Sequence, residues 1–272
     1  LSLMNITSKE KTEVILSESP YLKGVFTGII GKIKDIASVV RMGGARKDNI
    51  PKRILRKISF GLADKVVVVS KTSKREMMKD CLEDKIEIIY PGTDFPEELP
   101  EAEKSDKTIV GYLGRFHKRK GTDRFIDLVK TFNPPNIEYR IAGWGDYKKD
   151  EIERLNKEGK INYMGKLPSD QVFEYLNNLD VLVAPSRTEG SPRVVVESLG
   201  AGTPIIAWDI PAMREIIKNQ NFLANSIKEL VAKIKNLSWD EEGFRWFKKE
   251  KYETKEEIKK YRKLIEDVTK NE

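Results

Sequence analysis

Two groups of residues in this 272-residue sequence have the types and spacing to do chemistry on an anionic, hydroxyl-bearing ligand. The first is Gly114-Arg115-Phe116-His117-Lys118-Arg119-Lys120-Gly121, which reads as a loop joining a strand to a helix, with Thr122 or Asp123 placed to cap that helix. A strand-to-helix loop presents backbone N–H groups and a positive dipole end to an anion. Arg115 and Lys120 add the cations that a diphosphate needs. A basic surface turn would spell the same letters, and His117 reads as incidental to the motif. The second group is Glu189 and Glu197, an E-x7-E pair. Ser191 is a natural N-cap and Pro192 a natural first helical residue. Glu189 then lies in the loop ahead of a helix and Glu197 more than a turn inside it. Carboxylates so placed can accept hydrogen bonds from two separate hydroxyl groups of one ligand. A glutamate pair at this spacing is common by chance. It gains weight because Gly200-Ala201-Gly202-Thr203-Pro204 ends the helix tightly and returns to a strand.

The elements that must hold these residues alternate in period. Residues Lys65–Ser70 and Lys85–Tyr90 read as strands flanking a helix near Ser73–Cys81, and Pro91–Asp94 as a turn. Phe95–Lys107 has no period and reads as a linker. From Thr108 the strands Thr108–Leu113, Ile137–Ala142, Ile161–Met164, Val181–Ala184 and Pro204–Ala207 alternate with helices near Phe125–Phe132, Tyr147–Glu158, Ser169–Asn178 and Pro192–Leu199. Helices follow near Ala212–Lys218 and Ser226–Asn236, and a last one carries Ile258, Tyr261, Ile265 and Val268 on one face. Strands alternating with helices imply a parallel sheet covered on both faces. Ligands of such sheets bind at the carboxyl ends of the strands, which selects GRFHKRKG, GWGD and PSRTEGS.

Composition narrows the class. The chain is 39% hydrophobic and 34% charged, which suits a packed globular protein and argues against disorder. No apolar run approaches the ~20 residues of a membrane span. One cysteine, Cys81, gives no internal disulfide framework and fits a reducing compartment, and one histidine, His117, gives no histidine-built zinc site. The sequence opens on Leu1, so its boundary is taken as arbitrary. The net charge of +7 is uneven: Arg41–Lys79 holds twelve Lys/Arg against Asp48, Asp64 and Glu76. Such an excess points to phosphates, an anionic membrane surface or a solvated face. No RNA- or DNA-binding signature accompanies it, so nucleic acid ranks last. A helix over Pro51–Leu62 would dock Ile54, Leu55, Ile58 and Leu62 on the core and turn Lys52, Arg53, Arg56 and Lys57 outward, where they could meet a membrane.

Five segments together resemble the retaining, nucleotide-sugar-dependent glycosyltransferases of the GT-B fold, the group called family 4. They are G-R-x4-K-G at Gly114–Gly121, G-x-G-D at Gly143–Asp146, D-V-L-V-A-P-S at Asp180–Ser186, E-G-x6-E at Glu189–Glu197 and G-A-G-T-P at Gly200–Pro204. The resemblance covers roughly Lys65–Ile210. It implies an α/β architecture of two Rossmann-type parallel-sheet domains: a shortened acceptor-side domain over 1–94, a linker over 95–107, a nucleotide-sugar domain over 108–238, and a helical tail over 239–272 packing back on the first. By the resemblance, Arg115 and Lys120 hold the donor diphosphate and Glu189 binds a hexose hydroxyl. Backbone groups of Gly190, Ser191, Arg193 and Val194 meet the sugar and phosphate, Glu197 binds the ribose, and Lys166 and Leu167 lie beside the base. Pro192 replaces a residue that lends an N–H in the family, Gly43 and Gly44 stand where a histidine is frequent, and residues 1–40 hold no match to the family's first glycine-rich loop. The expected enzyme is a cytoplasmic, metal-independent hexosyltransferase using a UDP- or GDP-sugar, with an acceptor that is lipid-linked or otherwise anionic. The alternative is a nucleotide-sugar-binding protein without transfer.

Overall fold

The computed structural model describes residues 13–44, 49–103, 105–236 and 247–269. Arg46, Lys47 and Asp48 of the basic stretch, and 239–246 of the expected tail, lie outside them. The chain divides into two compact units, one from the described residues of Leu1–Gly92 and Thr254–Glu272, the other Thr93–Glu253.

In the first unit, β1 (Val14–Ser17), β2 (Ala37–Met42), β3 (Lys65–Val68) and β4 (Ile86–Ile88) form a parallel sheet in that order, with α1 (Leu22–Lys34), α2 (Ile50–Leu62) and α3 (Lys71–Met77) as crossovers. Strand alternation serves both faces. Val66 and Val68 join Val40, Met42, Phe60 and Met77, while Val67 joins Val39, Ile89 and Leu264 on the other side.

The second unit is a six-stranded parallel sheet in the order β10-β9-β8-β5-β6-β7. Its chain runs β5 (Thr108–Arg115), α4 (Thr122–Thr131), β6 (Ile137–Trp144), α5 (Lys149–Lys157), β7 (Asn162–Gly165), α6 (Val172–Asn177), β8 (Val181–Ala184), α7 (Arg193–Gly200), β9 (Ile205–Trp208), α8 (Pro211–Ile216), β10 (Leu223–Ala224) and α9 (Ile227–Lys235). Tyr139, Phe125, Ile141 and Val183 lie in its main core. Helix α10 (Thr254–Thr269) then returns to the first unit.

Several expectations are corrected. The segment read as a linker is anchored on the second unit. Phe95 packs edge-on against Phe173 at 5.9 Å, the Asn177 side chain donates to Pro100 O at 2.8 Å, and Glu103 N–H donates to Asn178 Oδ1 at 2.8 Å. The helix expected over Ser169–Asn178 starts as a 3-10 turn at Ser169–Gln171. On α10 the buried residue is Leu264, with Tyr261 packed beside it, while Ile258 and Ile265 are exposed. Helix α2 is rotated from its expected setting: Arg56, Ser59 and Phe60 are buried, and Ile54 and Ile58 are exposed. Two contacts decide this. The Phe60 ring has more apolar area to bury than any isoleucine, and the carboxylate of Asp80, 2% exposed, bonds Arg56 and has Arg53 and Lys57 at 3.5 Å each. Burial alone would push the Asp80 carboxyl up, but the Arg56 hydrogen bond and the three neighbouring cations hold it below the ordinary aspartate value.

Candidate active site

The order β10-β9-β8-β5-β6-β7 reverses direction between β5 and β8. Chain leaving β5 turns one way and chain leaving β8 the other, so a crevice opens at their carboxyl ends. The loops that line it are the basic G-R-x4-K-G segment after β5 and Pro185–Pro192 after β8, two of the three that the sequence selects.

Hydrogen bonds and one glycine clasp these loops together. Arg187 donates its backbone N–H to Arg119 O at 2.8 Å and its guanidinium to Lys118 O at 2.6 Å, and grips both oxygens of Asp123 at 2.7 Å. Gly121 has φ +72°, and a Cβ there would fall 2.0 Å from Pro185 O, so only glycine lets the backbones approach. It occupies the N-cap position of α4; neither Thr122 nor Asp123 caps the helix. Thr122 instead uses its hydroxyl to accept from His117 N–H at 3.0 Å, and Asp123 is committed to Arg187. His117 shapes the loop after all, its Nδ1 accepting from Arg119 N–H at 2.9 Å.

Across the clasp, Lys120 Nζ meets Glu189 Oε1 at 2.6 Å, and the Ser186 hydroxyl donates to the same oxygen at 2.9 Å. The Glu189 side chain is 5% exposed and that of Lys120 24%, so the pair is sealed on one side and open to water on the other. The α7 helix that follows starts differently from expectation. Pro192 is the N-cap residue, not the first helical one, and the Ser191 side chain makes no cap. With ψ 97°, Pro192 is still extended, and its carbonyl accepts the helix's first bonds, from Val195 and Val196. The N–H groups of Arg193 and Val194 precede that ladder, as first-turn donors do, while Pro192 has none. Glu197 lies one turn on, with Arg193 Nε at 3.8 Å. Burial pushes the Glu197 carboxyl above the ordinary glutamate value, more than the nearby charges of Arg193 and Lys120 pull it down.

Arg115 stands apart from this group, exposed as the last residue of β5. Its register partner on β6 is Trp144, which is 50% exposed and has Lys166 Nζ 5.5 Å from its ring. Leu167 follows Lys166, half-buried. Gly143 lets these strand ends close up, since a Cβ there would lie 1.9 Å from Gly114 O. The expected residues therefore fall into two sets: Lys120 with Glu189, Gly190, Ser191, Arg193, Val194 and Glu197 on one side, and Arg115 with Lys166 and Leu167 on the other. Sequence reasoning missed Ser186, Arg187 and Trp144. Ser186 had a signal, a hydroxyl three residues before the loop glutamate, and so did Trp144, an aromatic between two strand-end glycines. Arg187 had none, because its partners lie across the crevice.

Comparison with known proteins identifies the family and the fold. Residues 94–263 match the model of the family described as glycosyl transferases group 1. An uncharacterised glycosyltransferase of Methanocaldococcus jannaschii is 27% identical over 244 residues, 84% of this chain and 68% of its own length. The amylovoran biosynthesis glycosyltransferase AmsD of Erwinia amylovora is 26% identical over 186 residues, 64% of this chain and 51% of its own. The chain thus spans between about half and two thirds of these relatives. Among solved structures, sucrose-phosphate synthase of Thermosynechococcus elongatus superposes with a TM-score of 0.78 at 17% identity, over 96% of this chain and 74% of that one. Anabaena HepE in complex with UDP-glucose gives 0.71 at 18%, over 95% and 77%. These likenesses establish the fold as the α/β GT-B type with two parallel sheets.

Proposed function

The chain belongs to the glycosyl transferases group 1, and from that premise we propose that it moves a hexosyl group from a nucleotide diphosphate sugar to an acceptor with retention at the anomeric carbon. The observation that carries this reading is the Lys120–Glu189 pair at the topological switch point, sealed beneath and open above. An ammonium and a carboxylate 2.6 Å apart present one cation to a diphosphate and one acceptor to a sugar hydroxyl. The first-turn N–H groups of Arg193 and Val194, with those of Gly190 and Ser191, offer donors to sugar and phosphate, and Glu197 offers its carboxylate to the ribose. Trp144 and the chain at Lys166–Leu167 suit the base, the indole by stacking. HepE holds UDP-glucose on the same fold, which favours a UDP-sugar here.

In the proposed step the bond from the anomeric carbon to the donor phosphate oxygen breaks, and its electron pair stays on the diphosphate. The acceptor hydroxyl attacks from the same face, and its proton passes to the departing phosphate oxygen, so no protein base is required. Lys120 and Arg115 meet the charge that develops, the role in which preorganised cations lower a barrier most. With those two cations and no D-x-D motif in the sequence, the reaction is proposed to be metal-independent. Turnover that persists in EDTA supports this, and a strict need for magnesium or manganese refutes it. An acceptor that is lipid-linked or otherwise anionic suits the basic stretch and a peripheral membrane contact through 51–62. The deciding experiment screens UDP- and GDP-sugars for thermal stabilisation, which a bound ligand produces by mass action, and then measures sugar release with added acceptors. Stabilisation without transfer to any acceptor would leave a donor-binding protein; no stabilisation by any nucleotide sugar would overturn the reading.

A further inference from the structure

Helix α1 is built inside out. Its inward side is Gly24, Thr27, Gly28 and Gly31, and its outward side carries Leu22, Phe26, Ile29 and Ile33, at the i, i+4, i+7, i+11 spacing of one helical stripe. The glycines are required by close packing. A Cβ on Gly24 would fall 2.2 Å from Ser59 Oγ on α2, and one on Gly28 2.5 Å from Leu62 Cβ. The outward residues are open: Leu22 is 56% exposed, Phe26 54% and Ile33 78%. Neighbouring α2 adds exposed Ile50, Ile54 and Ile58. Single exposed apolar residues are ordinary, but stripes on two adjoining helices form a patch of the kind that marks an interaction surface.

The charges around the patch choose its occupant. Neither α1 nor α2 contains an acidic residue, and Lys23, Lys32, Lys34, Lys52, Arg53 and Lys57 are exposed on them. A second copy of the chain would bring like charges together, whereas an anionic bilayer meets the lysines with phosphates and the stripe with acyl chains. We propose that the outer face of α1, with Ile54 and Ile58 of α2, is a docking surface for an anionic lipid bilayer, Leu22, Phe26, Ile29 and Ile33 entering the headgroup–acyl boundary. Amphipathic helices bind membranes through this combination of apolar face and basic flanks. The inference deepens, and rests on, the reading of a lipid-linked or anionic acceptor. It relocates the contact from the basic residues of α2, several of which Asp80 occupies, to the apolar stripe of α1.

The test is cosedimentation of the whole chain with phosphatidylglycerol-containing vesicles and with pure phosphatidylcholine vesicles, at low and high salt. The parent protein should sediment with the first and stay in solution with the second. The Phe26→Ser, Ile33→Ser double variant should lose more than about tenfold in partitioning, since two side chains no longer leave water. Lys23→Gln with Lys34→Gln and Lys52→Gln, which leaves the apolar stripe whole, should lose about 100-fold at low salt, at about 1 kcal/mol per basic residue. Equal binding by the parent and both variants would overturn the proposal. So would absence of parent binding, or a parent dimer that the serine variant abolishes. Donor turnover on a soluble acceptor, measured on the same samples, separates the two claims: its absence with vesicle binding intact sinks the transferase reading alone, and its presence without vesicle binding sinks the docking surface alone.

Discussion

Two buried cation–carboxylate pairs sit in the two units, and they are placed differently. Asp80 in the first unit is closed in by Arg56, itself 7% exposed, with Arg53 and Lys57 behind it. Glu189 in the second is just as buried, but its partner Lys120 reaches it from a loop and remains partly in water. The first pair joins α2 to the chain after α3, with the more exposed Arg53 and Lys57 on its outer side. The second bridges two loops at strand ends, where the sheet topology opens a crevice. What separates the two pairs is placement: a helix tied to the chain beside it against two strand-end loops at a topological switch point.

Breaking the closed pair should give the largest effect on stability. Arg56→Ala leaves Asp80 buried with two cations at 3.5 Å, and removing one partner of a buried pair costs about 3–5 kcal/mol, the lower end where other cations remain. Urea melts of parent and variant check this, and a loss under about 1 kcal/mol would show the pair to be dispensable. The pH dependence has a defined sign. The folded Asp80 carboxyl titrates below its unfolded value, so its contribution is complete above about 3.9 and disappears as pH falls through the lower folded value.

Breaking the open pair should instead strike the rate. Lys120→Ala removes a preorganised charge from a developing anion, worth about 100–1000-fold in turnover, or roughly 2.7–4 kcal/mol. Its melting point should fall less than that of Arg56→Ala, because Glu189 keeps the Ser186 hydroxyl and gains water. Arg115→Ala, at the end of β5, should lower the rate with less change still in stability. Near-normal turnover in the Lys120 variant would make the two pairs alike.

How far the sequence foretold this contrast differs between the units. In the second, strand runs alternate with helices and end in loops of marked composition. The parallel sheet and the loops that carry Lys120 and Glu189 are therefore legible from period and spacing, while the roles of those residues come from the family resemblance. What escaped was whatever depends on a partner far along the chain: Arg187 on Asp123, Gly121 in place of a side-chain cap, Trp144 beside Arg115. In the first unit the helical wheel of α2 was misleading, because a wheel ranks aliphatic faces and cannot see that Asp80 draws Arg56 inward. The basic stretch Arg41–Lys79 ends one residue before Asp80, the carboxylate that gathers three of its cations.

Glu197 sharpens the comparison as a largely buried carboxylate whose nearest cation, Arg193 at 3.8 Å, does not outweigh the cost of burial. Glu197→Gln should weaken binding of UDP or GDP by about 1–3 kcal/mol, the worth of a charge-assisted hydrogen bond. The free variant should be at least as stable as the parent at neutral pH. The folded parent holds the Glu197 proton to higher pH than the unfolded chain does, so its stability falls as pH rises through that window, and glutamine removes the penalty. Nucleotide affinity of the parent should decline as acid protonates the carboxylate, and the variant's should not. Titration calorimetry at two pH values checks both; lost stability without ligand would make Glu197 a structural residue.

The smallest effect is expected at Ser186. Its hydroxyl donates to the Glu189 oxygen that Lys120 also holds, so it fixes the carboxylate's direction without meeting a ligand itself. Ser186→Ala removes one hydrogen bond of about 0.5–1.5 kcal/mol and leaves the ion pair in place. If Glu189 only held the loops together, that loss would appear wholly in the melting point. If it must aim at a sugar hydroxyl, turnover should drop about 2- to 12-fold, the same energy read as a rate. Threonine at 186, which restores the hydroxyl, should then recover most of it. A rate equal to the parent's in Ser186→Ala, with the melting point lowered, would place Glu189 beside Asp80 as a second structural carboxylate.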